Sequence, residues 1–215
     1  MSDNTNTTAE KDSLDGLPEK TYVRAQQFLE DSFRLGFKVL ESGFVPRFII
    51  GVWRGGAPTG IAIQELMDFY GVETDHIAIR TSSYTGMERQ KEVRVHGLDY
   101  IIENVNADDN LLIIDDVFDT GHSLDAILNT LKERCRANMP VVAKIATVYY
   151  KPARNLTKIE PDFYVNETDD WLVFPHELHG LKMDEITRFK GLGLEFPDPE
   201  DVPYSNIDAS KVAKD

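Results

Sequence analysis

The fold is decided by one stretch of the sequence, Leu111-Leu112-Ile113-Ile114-Asp115-Asp116-Val117-Phe118-Asp119-Thr120-Gly121-His122-Ser123. Its four leading apolar residues predict a strand that is buried on both faces of a parallel sheet. Two adjacent carboxylates follow, and then a turn that opens a helix predicted over residues 123–136. Ligands of α/β proteins bind at the carboxyl ends of such strands, so the stretch predicts both a fold class and the place of a binding site.

Strands and helices alternate on both sides of this stretch. The spacing of apolar residues predicts a helix from Pro18 to about Gly43 and another over residues 61–70. Short apolar runs predict strands over residues 48–52, 76–79 and 141–150. The alternation predicts an α/β fold with a central parallel sheet flanked by helices.

Three segments fall outside this alternation. Residues 1–16 are polar and are predicted to form a disordered arm, and residues 196–215 to form an acidic, Pro-containing tail. Residues 81–92 have no apolar period and are predicted to form a long loop. We expect a single domain over residues 17–195.

The composition limits the classes of partner. The chain of 215 residues is 41% hydrophobic, enough for one sizeable core, and its 23 Lys and Arg against 37 Asp and Glu give a net charge of −14. Such a chain repels phosphate backbones and anionic bilayers, so we expect no nucleic acid and no membrane as partners. Cys135 is the single cysteine and is predicted to be a buried thiol on a helix. The first residues show no leader pattern, so we expect a cytoplasmic location.

The deciding stretch carries the residue types that a sugar phosphate and a metal need. A turn at a helix N-terminus offers free backbone N–H groups and the positive end of the helix dipole, which suits a phosphate. Adjacent carboxylates suit Mg²⁺ and a hydroxyl-bearing ligand. Helix capping alone accounts for Asp119 or Thr120 but leaves Asp115 and Asp116 unexplained. A Walker-type ATPase would need a G-x-x-x-x-G-K-[ST] loop, and the sequence has none.

The stretch resembles the phosphoribosyl pyrophosphate (PRPP) motif of the type I phosphoribosyltransferases. Residues 52–56, Val-Trp-Arg-Gly-Gly, resemble the pyrophosphate-binding loop of that family, and residues 82–84, Ser-Ser-Tyr, resemble the start of its mobile catalytic loop. Further along, Lys151-Pro152-Ala153, then Pro161-Asp162, then Trp171-Leu172-Val173-Phe174-Pro175-His176-Glu177 resemble the purine-binding hood of the 6-oxopurine (hypoxanthine, guanine and xanthine) enzymes. The matches keep the family's order over roughly residues 45–180, with a small hood subdomain mainly over residues 151–180.

The resemblance implies roles on the PRPP side of the site. Asp119 would act as general base or acid near N7 of the purine, Arg54 would neutralise the pyrophosphate, and Tyr84 would close over the site. The residues implied to bind PRPP are Asp115, Asp116, Asp119, Thr120, Gly121, His122, Ser123, Arg54, Gly55 and Ser83. Mg²⁺ would be held by Asp115 and Asp116, directly or through ribose hydroxyls and water. The family also implies a cis peptide bond between Trp53 and Arg54.

The resemblance implies roles on the purine side as well. Lys151 would donate to O6 of an oxopurine, Trp171 would stack on the ring, and the backbone of Leu172 would meet the edge at position 2. Glu177 would help to read position 2 or hold metal through water. His176 departs from the aromatic residue usual in the bacterial xanthine–guanine enzymes, so the choice among the three oxopurines stays open.

The resemblance therefore implies a purine-salvage phosphoribosyltransferase. It would transfer 5-phosphoribosyl from PRPP to N9 of a 6-oxopurine, giving the nucleoside 5′-monophosphate and pyrophosphate, and it would form a homo-oligomer, a dimer or tetramer. A non-catalytic PRPP-binding regulator of the same fold is one alternative. A transferase for orotate, uracil or adenine is another, and Lys151 and Trp171 speak against it.

Overall fold

The computed structural model describes residues 10–12, 20–85, 91–194 and 197, without the side chains of residues 10–12, 83–85, 91 and 92. The chain divides into two compact units, Met1–His176 and Glu177–Asp215. The strands are β1 (Glu10–Asp12), β2 (Lys20–Tyr22), β3 (Phe48–Trp53), β4 (Asp75–Thr85), β5 (Lys91–His96), β6 (Asn110–Phe118), β7 (Val142–Tyr150), β8 (Phe163–Glu167) and β9 (Trp171–Val173). The helices are α1 (Ala25–Glu41), α2 (Gly56–Phe69), α3 (Asp99–Asn104), α4 (His122–Cys135) and α5 (Met183–Phe189).

A six-stranded sheet forms the centre of the first unit, in the order β5-β4-β3-β6-β7-β8. All neighbours are parallel except β4 and β5, which pair antiparallel at one edge. Residues Leu111 to Ile114 of β6 are fully buried because apolar layers cover both faces of the sheet. One layer comes from α3 and α4, and the other from α1 and α2. The predicted α/β class with a central, mostly parallel sheet is confirmed.

A second sheet of three strands, in the order β1-β2-β9, joins the N-terminal part of the chain to residues 171–173. Lys20 pairs with Trp171 and Tyr22 with Val173 in the parallel register of β2 and β9. The helix predicted from Pro18 therefore begins later, at Ala25. Tyr22 fits the helical spacing, but its burial comes from this strand pairing with a segment about 150 residues away.

The predicted loop over residues 81–92 is wrong at both of its ends. Thr81 to Thr85 continue β4, and Lys91 and Glu92 begin β5, so the segment is a hairpin whose residues 86–90 lie outside the described part. The pairing is antiparallel, from Arg80 opposite His96 to Thr85 opposite Lys91. Residues 81–85 pair with β5 alone, beyond the part of β4 that pairs with β3, and they left no apolar period in the sequence.

The predicted terminal segments fall largely outside the described residues. Within the predicted arm, Glu10–Asp12 form β1, and the remaining residues of the arm and most of the tail are not described. The predicted single domain over 17–195 stays a prediction. Cys135 is buried at the end of α4, as predicted. No helix in the described ranges is long and apolar enough to cross a membrane.

The second unit contains α5, whose first turn is capped by its own side chains. The backbone N–H of Lys182 donates to Glu185 Oε2 at 2.8 Å. Glu185 and Ile186 are the buried residues of this helix.

Thr147 carries a buried hydroxyl group that costs stability. It lies in β7, is fully buried, and its Oγ1 finds no hydrogen-bond partner among the described residues. Replacing an unsatisfied buried hydroxyl by a methyl group of the same shape removes a desolvation penalty. We expect Thr147→Val to raise the free energy of unfolding by about 1 kcal/mol, measured by urea denaturation.

Thr59 provides the matched control. It is equally buried, but its hydroxyl is hydrogen-bonded with the Ser32 hydroxyl, with 3.3 Å between the two oxygens. Thr59→Val should lower the free energy of unfolding, by about 1 kcal/mol, because it removes that hydrogen bond. If Thr147→Val also lowered the free energy of unfolding, the hydroxyl of Thr147 would have a hydrogen-bond partner in solution.

Candidate active site

The loop that follows β3 lies directly against the acidic end of β6. The Trp53–Arg54 peptide bond is cis, as predicted. A Cβ atom at Gly55 would overlap the carboxylate of Asp116, and one at Gly56 would overlap the carbonyl oxygen of Ile114. Only glycine lets the backbone approach this closely. The loop and the two carboxylates therefore form one wall of a site.

Asp115 and Asp116 turn their side chains back onto the strand. The N–H of Asp116 donates to Asp115 Oδ1 at 3.0 Å, and the N–H of Val117 donates to Asp116 Oδ1 at 2.9 Å. Desolvation by the surrounding protein, and then the negative charge of Asp116, raise the pKa of Asp115 well above its usual range. A cation bound beside the pair would favour the charged form of Asp115 and so offset this cost.

The turn between β6 and α4 encloses a small cavity. Its volume is about 80 Å³, and it is lined by Asp115, Val117, Phe118, Asp119, Thr120, Gly121, Ser123 and Leu124. Gly121 has a φ of +80°, in the left-handed region, and a Cβ there would lie 2.5 Å from Thr157 Oγ1 and 2.8 Å from the Phe118 ring. The cavity faces the first turn of α4, whose backbone N–H groups have no partner within the helix. This arrangement suits an anion.

Asp119 lies between two cationic side chains. Lys151, which follows β7, is buried, and its Nζ lies 3.7 Å from Asp119 Oδ2. Arg154 Nε donates to Asp119 Oδ1 at 2.5 Å. The predicted site contains Lys151 but not Arg154. The only sequence signal for Arg154 is its position three residues beyond Lys151, on a short 3₁₀ turn over Pro152–Arg154.

The predicted purine residues Trp171 and Leu172 both lie in β9. Trp171 is 52% exposed, with Lys20 Nζ 5.8 Å from the centroid of its ring, whereas Leu172 is buried. Trp171 is therefore partly open to solvent beside Lys20, and the burial of Leu172 anchors the strand.

His176 contacts the acidic pair, a contact that sequence reasoning missed. Its ring stacks on Phe174, with 5.7 Å between centroids, and also lies against Phe28. Its Nε2 lies 3.5 Å from Asp116 Oδ2. The sequence showed only that position 176 departs from the related enzymes.

The remaining predicted site residues differ in exposure and in how far the structure describes them. Arg54 and His122 are exposed, and Thr120 and Ser123 are partly buried, with Thr81 Oγ1 donating to Ser123 Oγ at 3.5 Å. Ser83 and Tyr84 belong to β4, but their side chains lie outside the described part of the chain. Glu177 belongs to the second unit. Across the described ranges, no group of three His, Cys, Asp or Glu side chains is placed to hold a metal ion.

A family model and a solved structure both relate the chain to phosphoribosyltransferases. The family model of the phosphoribosyl transferase domain matches residues 19–181. The crystal structure of a purine phosphoribosyltransferase from Pyrococcus horikoshii Ot3 is 28% identical with a TM-score of 0.59, and the match covers 76% of this chain and 97% of that one. A search of the curated proteins found no significant match.

Two further solved structures are similar in fold at lower identity. A Helicobacter pylori xanthine-guanine-hypoxanthine phosphoribosyltransferase is 21% identical with a TM-score of 0.58, over 72% of this chain and 92% of that one. A hypothetical protein from Neisseria gonorrhoeae with bound ppGpp is 20% identical with a TM-score of 0.67, over 83% of this chain and 99% of that one.

Proposed function

Because the chain belongs to the phosphoribosyl transferase family, we propose that it transfers 5-phosphoribosyl from PRPP to N9 of a 6-oxopurine, in purine salvage. The observation that carries this proposal is the pairing of Asp119 with the buried Lys151 at 3.7 Å. An oxopurine presents an acceptor at O6 beside a nitrogen, N7, that can carry a proton. A lysine donor beside a carboxylate acceptor matches that edge, whereas the amino group of adenine would meet the lysine with a second donor.

PRPP would bind along the acidic end of β6. The turn from Asp119 to Ser123 would hold the 5′-phosphate through the N–H groups of Gly121 and His122 and the hydroxyls of Thr120 and Ser123. Arg54, with the backbone of Gly55, would hold the pyrophosphate. Two observations support placing the 5′-phosphate and the pyrophosphate of PRPP on these two segments. One is the cavity around the turn, and the other is the close approach of the loop to Asp116.

Mg²⁺ fits the donors on the other side of this site. Asp115 and Asp116 offer two adjacent carboxylates as hard oxygen ligands, and oxygens of PRPP and water would complete the coordination. When bound, the ion would offset the charge on the departing pyrophosphate. The role of Glu177, in binding metal or in recognising position 2 of the purine, stays a prediction.

The reaction forms a bond between N9 and the anomeric carbon and breaks the bond from that carbon to the pyrophosphate oxygen. Asp119 accepts the proton that the purine loses from N7, so the ring becomes a better nucleophile. Lys151 orients the base through O6, and Trp171 offers it a stacking face. The proton then leaves Asp119 for solvent, and pyrophosphate departs with the displaced electron pair.

A pyrophosphate-release assay tests the proposal. The purified chain is mixed with Mg²⁺, PRPP and, separately, hypoxanthine, guanine, xanthine, adenine and orotate, and each reaction is repeated with Asp119→Ala. Turnover with an oxopurine that the substitution largely removes supports the proposal and ranks the bases. Tight PRPP binding without turnover on any base would instead support a regulator of the same fold. Light scattering on the same sample tests the predicted dimer or tetramer.

Trp171→Ala should weaken purine binding and leave the fold intact. Stacking of a base on an aromatic side chain contributes about 1–3 kcal/mol, which corresponds to a rise of about 5- to 150-fold in the KM for the purine. The KM for PRPP should not change, because β9 is predicted to contact the base alone. Since the ring is half exposed, its removal should hardly alter the melting temperature. Steady-state kinetics with each substrate varied in turn provide the measurement.

Phe69→Ala is the matched control for that substitution. Phe69 is 80% exposed and ends α2, at the opposite end of the helix from Gly55 and Gly56. Its removal should leave both KM values unchanged. If Trp171→Ala behaves like Phe69→Ala, the indole does not stack on the substrate.

A further inference from the structure

Asp119 has two cationic neighbours that differ in burial and geometry. The side chain of Lys151 is 7% exposed and lies 3.7 Å from Oδ2, whereas that of Arg154 is 55% exposed and lies against Oδ1. In the proposed reaction Lys151 turns to O6 of the base. The proposed reaction assigns Arg154 no contact with the base, so we expect its contact with Asp119 to persist when the base is bound.

Arg154 is held in place from both sides. The N–H of Arg154 donates to the carbonyl of Lys151 at 3.1 Å, and the N–H of Ala153 donates to Asp169 Oδ1 at 3.3 Å. Two residues further on, the N–H of Leu156 donates to the carbonyl of Thr120 at 3.1 Å. The segment that carries Arg154 is therefore fastened to the same turn that carries Asp119.

This anchoring determines which oxygen of Asp119 faces the substrate. Arg154 Nε occupies Oδ1, and Oδ2 is the oxygen on the side of Lys151. The purine edge lies on the Lys151 side, because O6 must reach that lysine. A carboxylate without this anchor can rotate about its χ angles and spends less time with an oxygen aimed at N7.

We propose that Arg154 is a positioning residue that holds the Asp119 carboxylate in the orientation in which Oδ2 accepts the proton from N7 of the purine. The inference rests on the proposed function and extends it by a residue outside the predicted site. Arg154 touches neither substrate in this assignment. It acts on the chemical step and leaves PRPP binding unaffected.

The test is Arg154→Met, with Arg134→Met as the matched control. Methionine keeps much of the length of arginine but lacks its charge and donors. Arg134 makes a comparable ion pair, with its Nη2 2.6 Å from Asp99 Oδ1, and is similarly exposed. Exposed pairs add little to folding, so both variants should melt like the parent chain.

Misplacement of a catalytic group by about 1 Å can cost on the order of 100-fold in rate. We therefore expect Arg154→Met to lower kcat by about 10- to 100-fold while the KM for PRPP stays within about twofold. Arg154→Lys should recover part of the loss, and Arg134→Met should lose nothing. In an Asp119→Asn background, Arg154→Met should have no further effect on kcat, because the group that it positions is already gone.

The outcomes separate this inference from the proposed function. A parent chain without turnover on any oxopurine overturns the proposed function, and the inference with it. A parent chain that turns over while Arg154→Met matches it in kcat overturns the inference alone. The inference is also overturned if the kcat losses of Asp119→Asn and Arg154→Met multiply in the double variant, because Arg154 would then act independently of Asp119.

Discussion

Asp119→Asn is expected to lower kcat by about 10²- to 10⁴-fold while the dissociation constant for PRPP stays close to that of the parent chain. An asparagine keeps the shape of the side chain and an oxygen that can accept from Arg154, but it cannot take the proton from the purine. Its backbone still contributes to the turn around the cavity, so the phosphate contacts survive. Steady-state kinetics give kcat, and titration calorimetry with PRPP and Mg²⁺ gives the affinity.

Asp108→Asn is the control for that substitution. Asp108 is exposed and precedes β6, so it lies at the opposite end of that strand from Asp119. Asp108→Asn removes one negative charge, as Asp119→Asn does, and it should change neither kcat nor the dissociation constant for PRPP. If Asp119→Asn kept its kcat, the residue would not be the general base. A parallel loss of PRPP affinity would point to a role in the shape of the turn.

Gly56→Ala is expected to lower the free energy of unfolding by about 3 kcal/mol and to abolish turnover. The added methyl group would overlap the carbonyl oxygen of Ile114 and lie 2.9 Å from the Cα of Asp115. Both atoms belong to the backbone of the buried strand β6, so neither can move away as a flexible side chain would. Relief of the clash would shift the loop or the acidic pair, and either shift disturbs the site.

Gly60→Ala, four residues along the same helix, separates this clash from the general effect of alanine. The nearest atom to its added Cβ is the Cα of Gly51 at 3.6 Å, an ordinary contact. Alanine also has the higher helix propensity, by about 1 kcal/mol, so this variant should be as stable as the parent chain or slightly more stable. Urea denaturation measures both variants. Equal stability of the two would mean that the loop does not lie against β6 in solution.

The inner strands of the large sheet could be predicted from local patterns, because a strand that is buried on both faces needs a continuous run of apolar residues. The run over Leu111–Ile114 therefore identified β6, and the polar residues after it identified its ligand-binding end. The first part of β4 was predicted from the apolar residues 76–79, but residues 81–85 and β5 escaped prediction because they pair with each other beyond the end of β3. The start of α1 was misplaced because Tyr22 fits a helical period by chance.

By itself, the sequence determined the features whose causes lie within a few residues. These are the buried strands, the acidic pair at the end of β6, the turn at Gly121 and the two glycines after Trp53. Only the tertiary structure decided the contacts between distant segments: Arg154 with Asp119, 35 residues apart, His176 with Asp116, and β2 with β9. Such contacts require long loops to close, and the entropy lost in closing them is offset by burial over the whole core. A local pattern of residues does not show whether burial outweighs this loss of entropy, so these contacts could be identified only in the folded chain.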